Sequence, residues 1–241
     1  MIDIMLNNQF QKYNILFFGD SVLKELIPHF ENMLHLYKIQ NIQVVDGSHI
    51  GATSSEGVNL LNNFSLKDVN CVVVNFGLND IRSQQSLMQY RDNLHQIARR
   101  LKTSNVRIIF CSITPFSKGS EHQITSLPTY LEVIRKITTD LDMEFFDMHG
   151  IIIKNFSKPI KSLRDGLHQT RPAKRKCAEE LIQTVLNEQL INLNFAKDFE
   201  YWVLLLLNYF RDIFEDFLNT TKVLRPVSNL AMNVYKYLTR F

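Results

Sequence analysis

The feature that most constrains the fold is an alternation, from residue 13 to about residue 190, of short apolar runs with longer stretches of helical periodicity. The runs are rich in β-branched and aromatic residues and end in turn residues, which is typical of buried strands. Strands are predicted at 14–18, 42–45, 71–76, 107–113 and 144–147. Helices are predicted at 22–37, 86–101, 126–141 and 172–190. Strands that alternate with helices of this length form βαβ units, which predicts an α/β fold with a parallel sheet covered on both faces.

The composition changes after Leu193, and we predict two parts, a domain over residues 1–195 and a helical extension over residues 196–241. The extension holds an amphipathic helix at 198–219 and a second, basic helix that begins near Pro226. Its longest continuous apolar run, 201–207, is too short to span a bilayer. Three interpretations stay open: the extension packs on the domain as a hairpin, forms a homodimer interface, or lies on a membrane surface.

Charge and cysteine content limit the partners and the compartment. The net charge of +3 is too small to indicate a nucleic-acid binder, so nucleic acid is an unlikely partner. The three cysteines fall inside apolar runs or helical patterns rather than in a disulfide framework, and the N-terminus has no pattern of a secretory signal. These observations predict an intracellular, cytoplasmic protein, either free or peripheral at a membrane.

The first predicted strand ends in Gly19-Asp20-Ser21, and a predicted helix follows. Open parallel sheets bind ligands at the carboxyl ends of their strands, which is where Ser21 lies. Its backbone N–H is near a helix N-terminus, where partial positive charge favours an anion. Two interpretations stay open: Ser21 is a nucleophile, or it caps the helix, as serine often does.

The third predicted strand ends in Gly77-Leu78-Asn79-Asp80. The side-chain amide of Asn79 can donate a hydrogen bond to an oxyanion that develops at this edge of the sheet. The alternative is an ordinary Asn-Asp turn, since both residues favour turns.

Asp165 and His168 stand three residues apart before the last predicted helix. On a helical turn, side chains at this spacing are neighbours. The carboxylate of Asp165 can then accept from Nδ1–H of His168 and leave Nε2 free to take a proton from a serine. The alternative is a solvated loop in which the two residues occur by chance.

The segment GSHIGATSSEG after the second strand supplies a further candidate, Gly51. Glycine lets the backbone approach a ligand closely, and the Gly51 N–H is a candidate oxyanion donor. Gly47 and Gly57 compete for this role, and His49 is a candidate for lining the site. Plain loop positions are the alternative for all of them.

In order and spacing, these four elements resemble the four sequence blocks of the GDSL/SGNH hydrolase family. The resemblance covers about residues 13–190 and implies a three-layer α/β/α sandwich with a five-stranded parallel sheet, the flavodoxin-like fold of SGNH hydrolases. It implies a catalytic triad and an oxyanion hole, with no metal ion and no cofactor. The implied triad is Ser21, His168 and Asp165, and the implied oxyanion hole is Ser21 N–H, Gly51 N–H and Asn79. Gly19, Asp20, Gly77 and Asp80 complete the motifs.

The resemblance implies a serine hydrolase that cleaves a carboxylic ester, either a small molecule with a short acyl or acetyl group or a lipid, through an acyl-enzyme. Two alternatives stay open: a thioesterase or acyltransferase with the same triad, and a catalytically silent binding module with the same fold. The segment 116–127 is expected to border the pocket. Basic residues surround His168 and either form a solvated surface or attract an anionic substrate or membrane. They are Lys158, Lys161, Arg164, Arg171, Lys174, Arg175 and Lys176.

Overall fold

The computed structural model of the protein describes residues 12–37, 39–156 and 162–186, and its centre is a parallel sheet of five strands in the order β2-β1-β3-β4-β5. The strands are β1 Tyr13–Gly19, β2 Ile42–Asp46, β3 Cys71–Asn75, β4 Arg107–Cys111 and β5 Glu144–Phe146. In β1, Ile15 is in register with Val44 on one side and with Cys71 on the other. The predicted five-stranded parallel sheet is confirmed.

Seven helices occur in the described part of the chain. They are α1 Ser21–Leu36, α2 Ser54–Asn62, α3 Leu78–Arg82, α4 Leu87–Thr103, α5 Glu121–Asp140, α6 Met148–Asn155 and α7 Arg171–Leu186. In the strand order, the chain moves from β1 outward to β2 and then returns past β1 to β3. Because parallel crossovers are right-handed, this reversal puts α1 on one face of the sheet and α2, α4 and α5 on the other. The packing of α4 against both α2 and α5 agrees with this arrangement.

The core lies between the central strands and these helices. Every residue of β3 is buried, as expected for a strand with helices on both faces. Phe18 packs edge-to-face on Phe76 with ring centroids 5.4 Å apart, and Phe17 does the same on Phe30 of α1 at 5.1 Å. The end of β1, where the chain leaves the sheet toward α1, is therefore packed on both faces.

The observed elements agree with most predicted bounds and correct a few. The five strands lie within two residues of their predicted ends. Helix α5 begins at Glu121, five residues before its predicted start, because Ser120 and Gln123 form a capping box and the helix continues through Pro128. Helices α2, α3 and α6 were not predicted, since each is too short to show a helical period. Residues 187–190 and the extension 196–241 lie outside the described residues.

Two further observations concern compartment and membrane. Cys71, Cys111 and Cys177 are buried and none of them forms a disulfide. Within residues 12–37, 39–156 and 162–186, no helix combines the length and apolar character needed to cross a membrane.

Candidate active site

Ser21 is the first residue of α1 and lies directly after the carboxyl end of β1. Asp20 is the residue that caps the helix: its Oδ1 accepts a hydrogen bond from Val22 N at 2.8 Å. The interpretation of Ser21 as the helix cap is therefore wrong, and its hydroxyl is available to another partner. A Cβ on Gly19 would lie 2.3 Å from Asn75 O, so glycine is needed there for the close approach of β1 and β3.

The partner of the Ser21 hydroxyl is His168, 147 residues along the chain. Ser21 Oγ lies 3.0 Å from His168 Nε2, and His168 Nδ1 lies 2.8 Å from Asp165 Oδ2. A carboxylate only accepts hydrogen bonds, so the imidazole carries its proton on Nδ1 and presents the Nε2 lone pair to Ser21. The structure thus brings the three predicted triad residues into one continuous hydrogen-bond chain.

Asp165 and His168 meet through a local turn rather than a helical one. Residues 164–168 form a bend in the loop before α7. Asp165 Oδ1 accepts from the backbone N–H groups of Leu167 at 3.0 Å and His168 at 2.8 Å, which fixes the bend from its own side chain. Burial raises the pKa of Asp165, but the hydrogen bonds from the His168 backbone and ring outweigh it and hold that pKa well below its usual value. Asp165 therefore stays ionised.

The segment that carries Asp165 and His168 is anchored on both sides. Its ends pair as a short antiparallel bridge between Leu163 and Gln169. The Gln169 side chain donates to Thr114 Oγ1 at 2.6 Å, and the backbone N–H of Ser117 donates to Gly166 O at 2.8 Å. The segment after β4 therefore contacts the loop that holds His168. This contact agrees with the prediction that the segment 116–127 borders the site.

Gly51 is distinguished from its rivals by its backbone hydrogen bonds. Gly47 N–H donates to Phe17 O and Gly57 N–H donates to Thr53 O, each at 2.9 Å, so both donors are occupied. Among the described residues, Gly51 N–H has no acceptor, and its φ of +81° is one that glycine adopts without strain. Of the three glycines, Gly51 is the one whose N–H is available to a ligand.

Asn79 reaches across the site instead of closing a local turn. Its Nδ2 donates to Ala52 O at 3.1 Å and to Asp20 Oδ2 at 3.2 Å. These contacts connect the strand end that carries Asn79 with the loop of Gly51 and with the turn of Ser21. Both amide hydrogens are therefore engaged, and an oxyanion at this position would have to displace one of these acceptors.

A cluster of polar side chains around Ser54 and Asp80 stabilises the chain directly after the Gly51 loop. Both carboxylate oxygens of Asp80 lie 3.0 Å from Ser54 N, and Oδ1 also accepts from Ser54 Oγ at 2.5 Å. The same Ser54 Oγ accepts from Asn93 Nδ2 at 3.0 Å and from Gln85 Nε2 at 3.2 Å. Burial raises the pKa of Asp80, and the hydrogen bonds from Ser54 oppose that rise. Asp80 thus fixes the start of α2, and with it the loop that precedes it.

Asp20 is completely buried between the start of α1 and Asn79. Burial raises the pKa of Asp20 to about 7; the hydrogen bond from Val22 N lowers it, and the neighbouring charge of Asp80 raises it. Its two oxygens serve different partners, Oδ1 for Val22 N and Oδ2 for Asn79 Nδ2. A residue predicted only as motif support is thus a direct link between two functional blocks.

The basic residues predicted around His168 are largely matched by carboxylates. Lys158 and Lys161 lie outside the described residues. Three of the other five form ion pairs with carboxylates: Lys174 with Glu25, Lys176 with Glu179 and Glu180, and Arg164 with Glu25 and Asp165. These ion pairs favour the interpretation of a solvated surface over that of a basic cluster that attracts an anionic substrate.

Sequence reasoning missed three contributors to the site: Ser54, the carbonyl of Ala52, and Glu25. One pattern could have located the first two, because Thr53 and Glu56 form a capping box that marks the start of a helix just after Gly51. Glu25 shows no pattern beyond its position one helical turn after Ser21. In the parts of the chain that the structure describes, no group of three or more His, Cys, Asp or Glu side chains is arranged to hold a metal ion.

Comparison with known proteins relates this geometry to a family. The sequence pattern of the GDSL-like Lipase/Acylhydrolase family matches residues 17–175, which include β1 to β5 apart from the first residues of β1, and both ends of the hydrogen-bond chain. No curated protein sequence matches that of the chain.

Solved structures share the fold at low sequence identity. A lipase/acylhydrolase from Enterococcus faecalis has a TM-score of 0.62 and 17% identity, covering 72% of this chain and 95% of its own. An acetyl xylan esterase from Geobacillus stearothermophilus has a TM-score of 0.60 and 15% identity, covering 72% and 94%. A GDSL-like lipase from Bacteroides thetaiotaomicron has a TM-score of 0.61 and 14% identity, covering 76% and 90%. The predicted three-layer α/β/α fold is confirmed.

Proposed function

The chain belongs to the GDSL-like Lipase/Acylhydrolase family, and from this premise we propose that it is a serine esterase with Ser21 as nucleophile, His168 as base and Asp165 as the carboxylate that orients the base. The observation that carries the proposal is the hydrogen-bond chain from Asp165 Oδ2 through His168 to Ser21 Oγ, with steps of 2.8 and 3.0 Å. A catalytically silent binding module would have no reason to keep a base aligned on an otherwise unused hydroxyl.

In the proposed first step, His168 Nε2 takes the hydroxyl proton while Ser21 Oγ attacks the carbonyl carbon of the ester. The ionised Asp165 stabilises the imidazolium that forms. As the tetrahedral intermediate collapses, the imidazolium gives its proton to the leaving alcohol and the acyl group stays on Ser21. Water then attacks the acyl-enzyme, with His168 again as base, and releases the acid.

The negative charge on the carbonyl oxygen needs donors, and three candidates lie at this edge of the sheet. We expect the N–H groups of Ser21 and Gly51 and the amide of Asn79 to supply them. An oxyanion is a stronger acceptor than a neutral carbonyl, so one hydrogen of Asn79 would move from Ala52 O to the intermediate. The interaction then forms mainly in the transition state, which is where it accelerates the reaction.

Labelling with a fluorophosphonate, which modifies activated serines, tests the assignment. We expect the wild type and a Ser65→Ala control, which removes an exposed serine, to label, and Ser21→Ala and His168→Ala not to label. A wild type that does not label, or a Ser21→Ala variant that labels as well as the wild type, contradicts the proposal.

A substrate panel identifies the acyl donor. It contains an acetylated sugar, an aryl acetate, a long-chain ester and an acyl-CoA, each with and without an added alcohol acceptor. Acetyl esters are included because one of the similar structures is named an acetyl xylan esterase, a protein that shares the fold with this chain at 15% identity. Preference for acyl-CoA, or transfer to the alcohol in place of hydrolysis, would assign a thioesterase or an acyltransferase that uses the same triad.

A further inference from the structure

Glu25 lies one helical turn after Ser21 on α1. Its carboxylate contacts the segment that contains His168 and also α7, the helix that follows this segment. Oε2 lies 2.6 Å from Lys174 Nζ on α7. Oε1 lies 3.1 Å from Nη2 of Arg164, which belongs to the segment with Asp165 and His168. The Ser21–His168 hydrogen bond is a second side-chain contact between α1 and this segment. Glu25 therefore holds the two together close to that hydrogen bond.

Arg164 is placed where it could compete with His168. Its Nη2 lies 3.7 Å from Asp165 Oδ2, the oxygen that accepts from His168 Nδ1 at 2.8 Å. Guanidinium groups bind carboxylates strongly through two parallel hydrogen bonds. Without Glu25, the nearest carboxylate to Arg164 would be that of Asp165. An Arg164–Asp165 pair would weaken the orientation of the imidazole.

Lys174 makes the cluster sensitive to the loss of Glu25. Its side chain is only 8% exposed, so its charge is largely removed from water and is compensated by Glu25. Burial raises the pKa of Glu25, but Lys174, His168 and Arg164 outweigh it and lower that pKa, so the carboxylate stays charged.

We propose that Glu25 is a positioning residue for the proposed triad: it ties the His168 segment to α1, and it keeps Arg164 from approaching Asp165 more closely than their present 3.7 Å contact. This inference rests on the proposed function. The charged groups around His168 come from several elements: Asp165 and Arg164 from its own segment, Glu25 from α1, Lys174 from α7, and Lys118, whose backbone N–H donates to Gly166 O, from the segment after β4.

The test compares Glu25→Gln with Glu25→Asp and with Glu31→Gln, an exposed glutamate of the same helix, by kcat and KM for an aryl acetate and by the rate of fluorophosphonate labelling. We expect Glu25→Gln to lower kcat about tenfold and to leave KM unchanged, because Glu25 acts on the geometry of the triad. Glu25→Asp should retain part of the activity because it keeps the charge, and Glu31→Gln should match the wild type.

A second substitution separates positioning from simple loosening of the fold. Adding Arg164→Gln to Glu25→Gln removes the competitor for Asp165, and we expect part of the lost kcat/KM to return. A Glu25→Gln variant with the kcat and KM of the wild type overturns the inference. So does a loss of activity that the double variant does not recover, which would assign Glu25 a purely structural role. A wild type that neither labels nor hydrolyses the ester would instead overturn the proposed function.

Discussion

Replacing Asp20 by Asn should make the protein more stable at alkaline pH and less active. The variant keeps the shape of the side chain and an oxygen that can accept from Val22 N, because Asn caps helices about as well as Asp. It removes the charge that the completely buried carboxylate carries when it ionises. It also places an NH₂ group opposite Asn79 Nδ2, where Oδ2 accepts a hydrogen bond in the wild type.

The magnitude follows from the raised pKa of Asp20. A pKa of about 7 in the folded protein, against an ordinary value of 3.8, means that ionising Asp20 destabilises the fold by about 4 kcal/mol at pH 8. At pH 5 the carboxyl is mostly protonated in the fold, and the penalty is about 1.5 kcal/mol. Because the pKa of Asp20 is raised in the folded protein, the penalty of ionising it is absent below the pKa of the unfolded state. The penalty grows with pH until the pH reaches the pKa of the folded state, about 7. Relative to the wild type, Asp20→Asn should therefore gain about 2.5 kcal/mol between pH 5 and pH 8.

Urea unfolding at both pH values measures this difference, and Asp46→Asn is the matched control. Burial raises the pKa of Asp46, but its hydrogen bonds from Ser48 and Lys24 outweigh this and lower that pKa. Both pH values lie above its unfolded value, so the stability difference of the control should not change between them. We expect kcat of Asp20→Asn to fall, because Asn79 loses an acceptor that orients it. If Asp20→Asn and the wild type differ in free energy of unfolding by the same amount at pH 5 and at pH 8, the reasoning is refuted.

Three further substitutions test other parts of the site. Asp165→Asn should lower kcat by about 10³–10⁴-fold, because His168 would no longer be held in the required tautomer; a loss below tenfold on an aryl acetate contradicts this. Gly77→Ala should lower the free energy of unfolding by about 2–4 kcal/mol in urea, since a Cβ there would lie 2.4 Å from Ile113 Cδ1 at a φ of +132°; a neutral effect sinks the steric argument. Asn79→Ala should lower kcat by about 10²–10³-fold with little change in KM, and an effect confined to KM would mean that Asn79 binds substrate instead.

The strands were predictable because their signal is local. Runs such as Cys71–Asn75 are β-branched, apolar and bounded by turn residues, and this pattern leaves few alternatives to a buried strand. The long helices α1 and α4 were predictable for the same reason. Their apolar residues recur every three to four positions, and that period survives whatever the helix packs against.

The short helices and several helix ends were not predictable from periodicity. Helix α3 has five residues, fewer than two turns, so no period can appear in it. The start of α5 depends on a capping box formed by Ser120 and Gln123, which is chemistry at a single position rather than a repeating pattern.

In the candidate site, too, some features follow from local sequence and others depend on tertiary contacts. The sequence by itself determined which residue types stand at the strand ends, because Ser21, Asn79 and the Asp165–His168 pair each follow a strand or precede a helix within a short motif. The tertiary structure decided which of their atoms meet. It assigned the helix cap to Asp20 in place of Ser21, left Gly51 as the glycine with an unused N–H, and placed Glu25 between Lys174 and Arg164. These outcomes depend on contacts between residues up to about 150 positions apart, which arise only when the crossovers bring the carboxyl ends of the strands to one edge of the sheet.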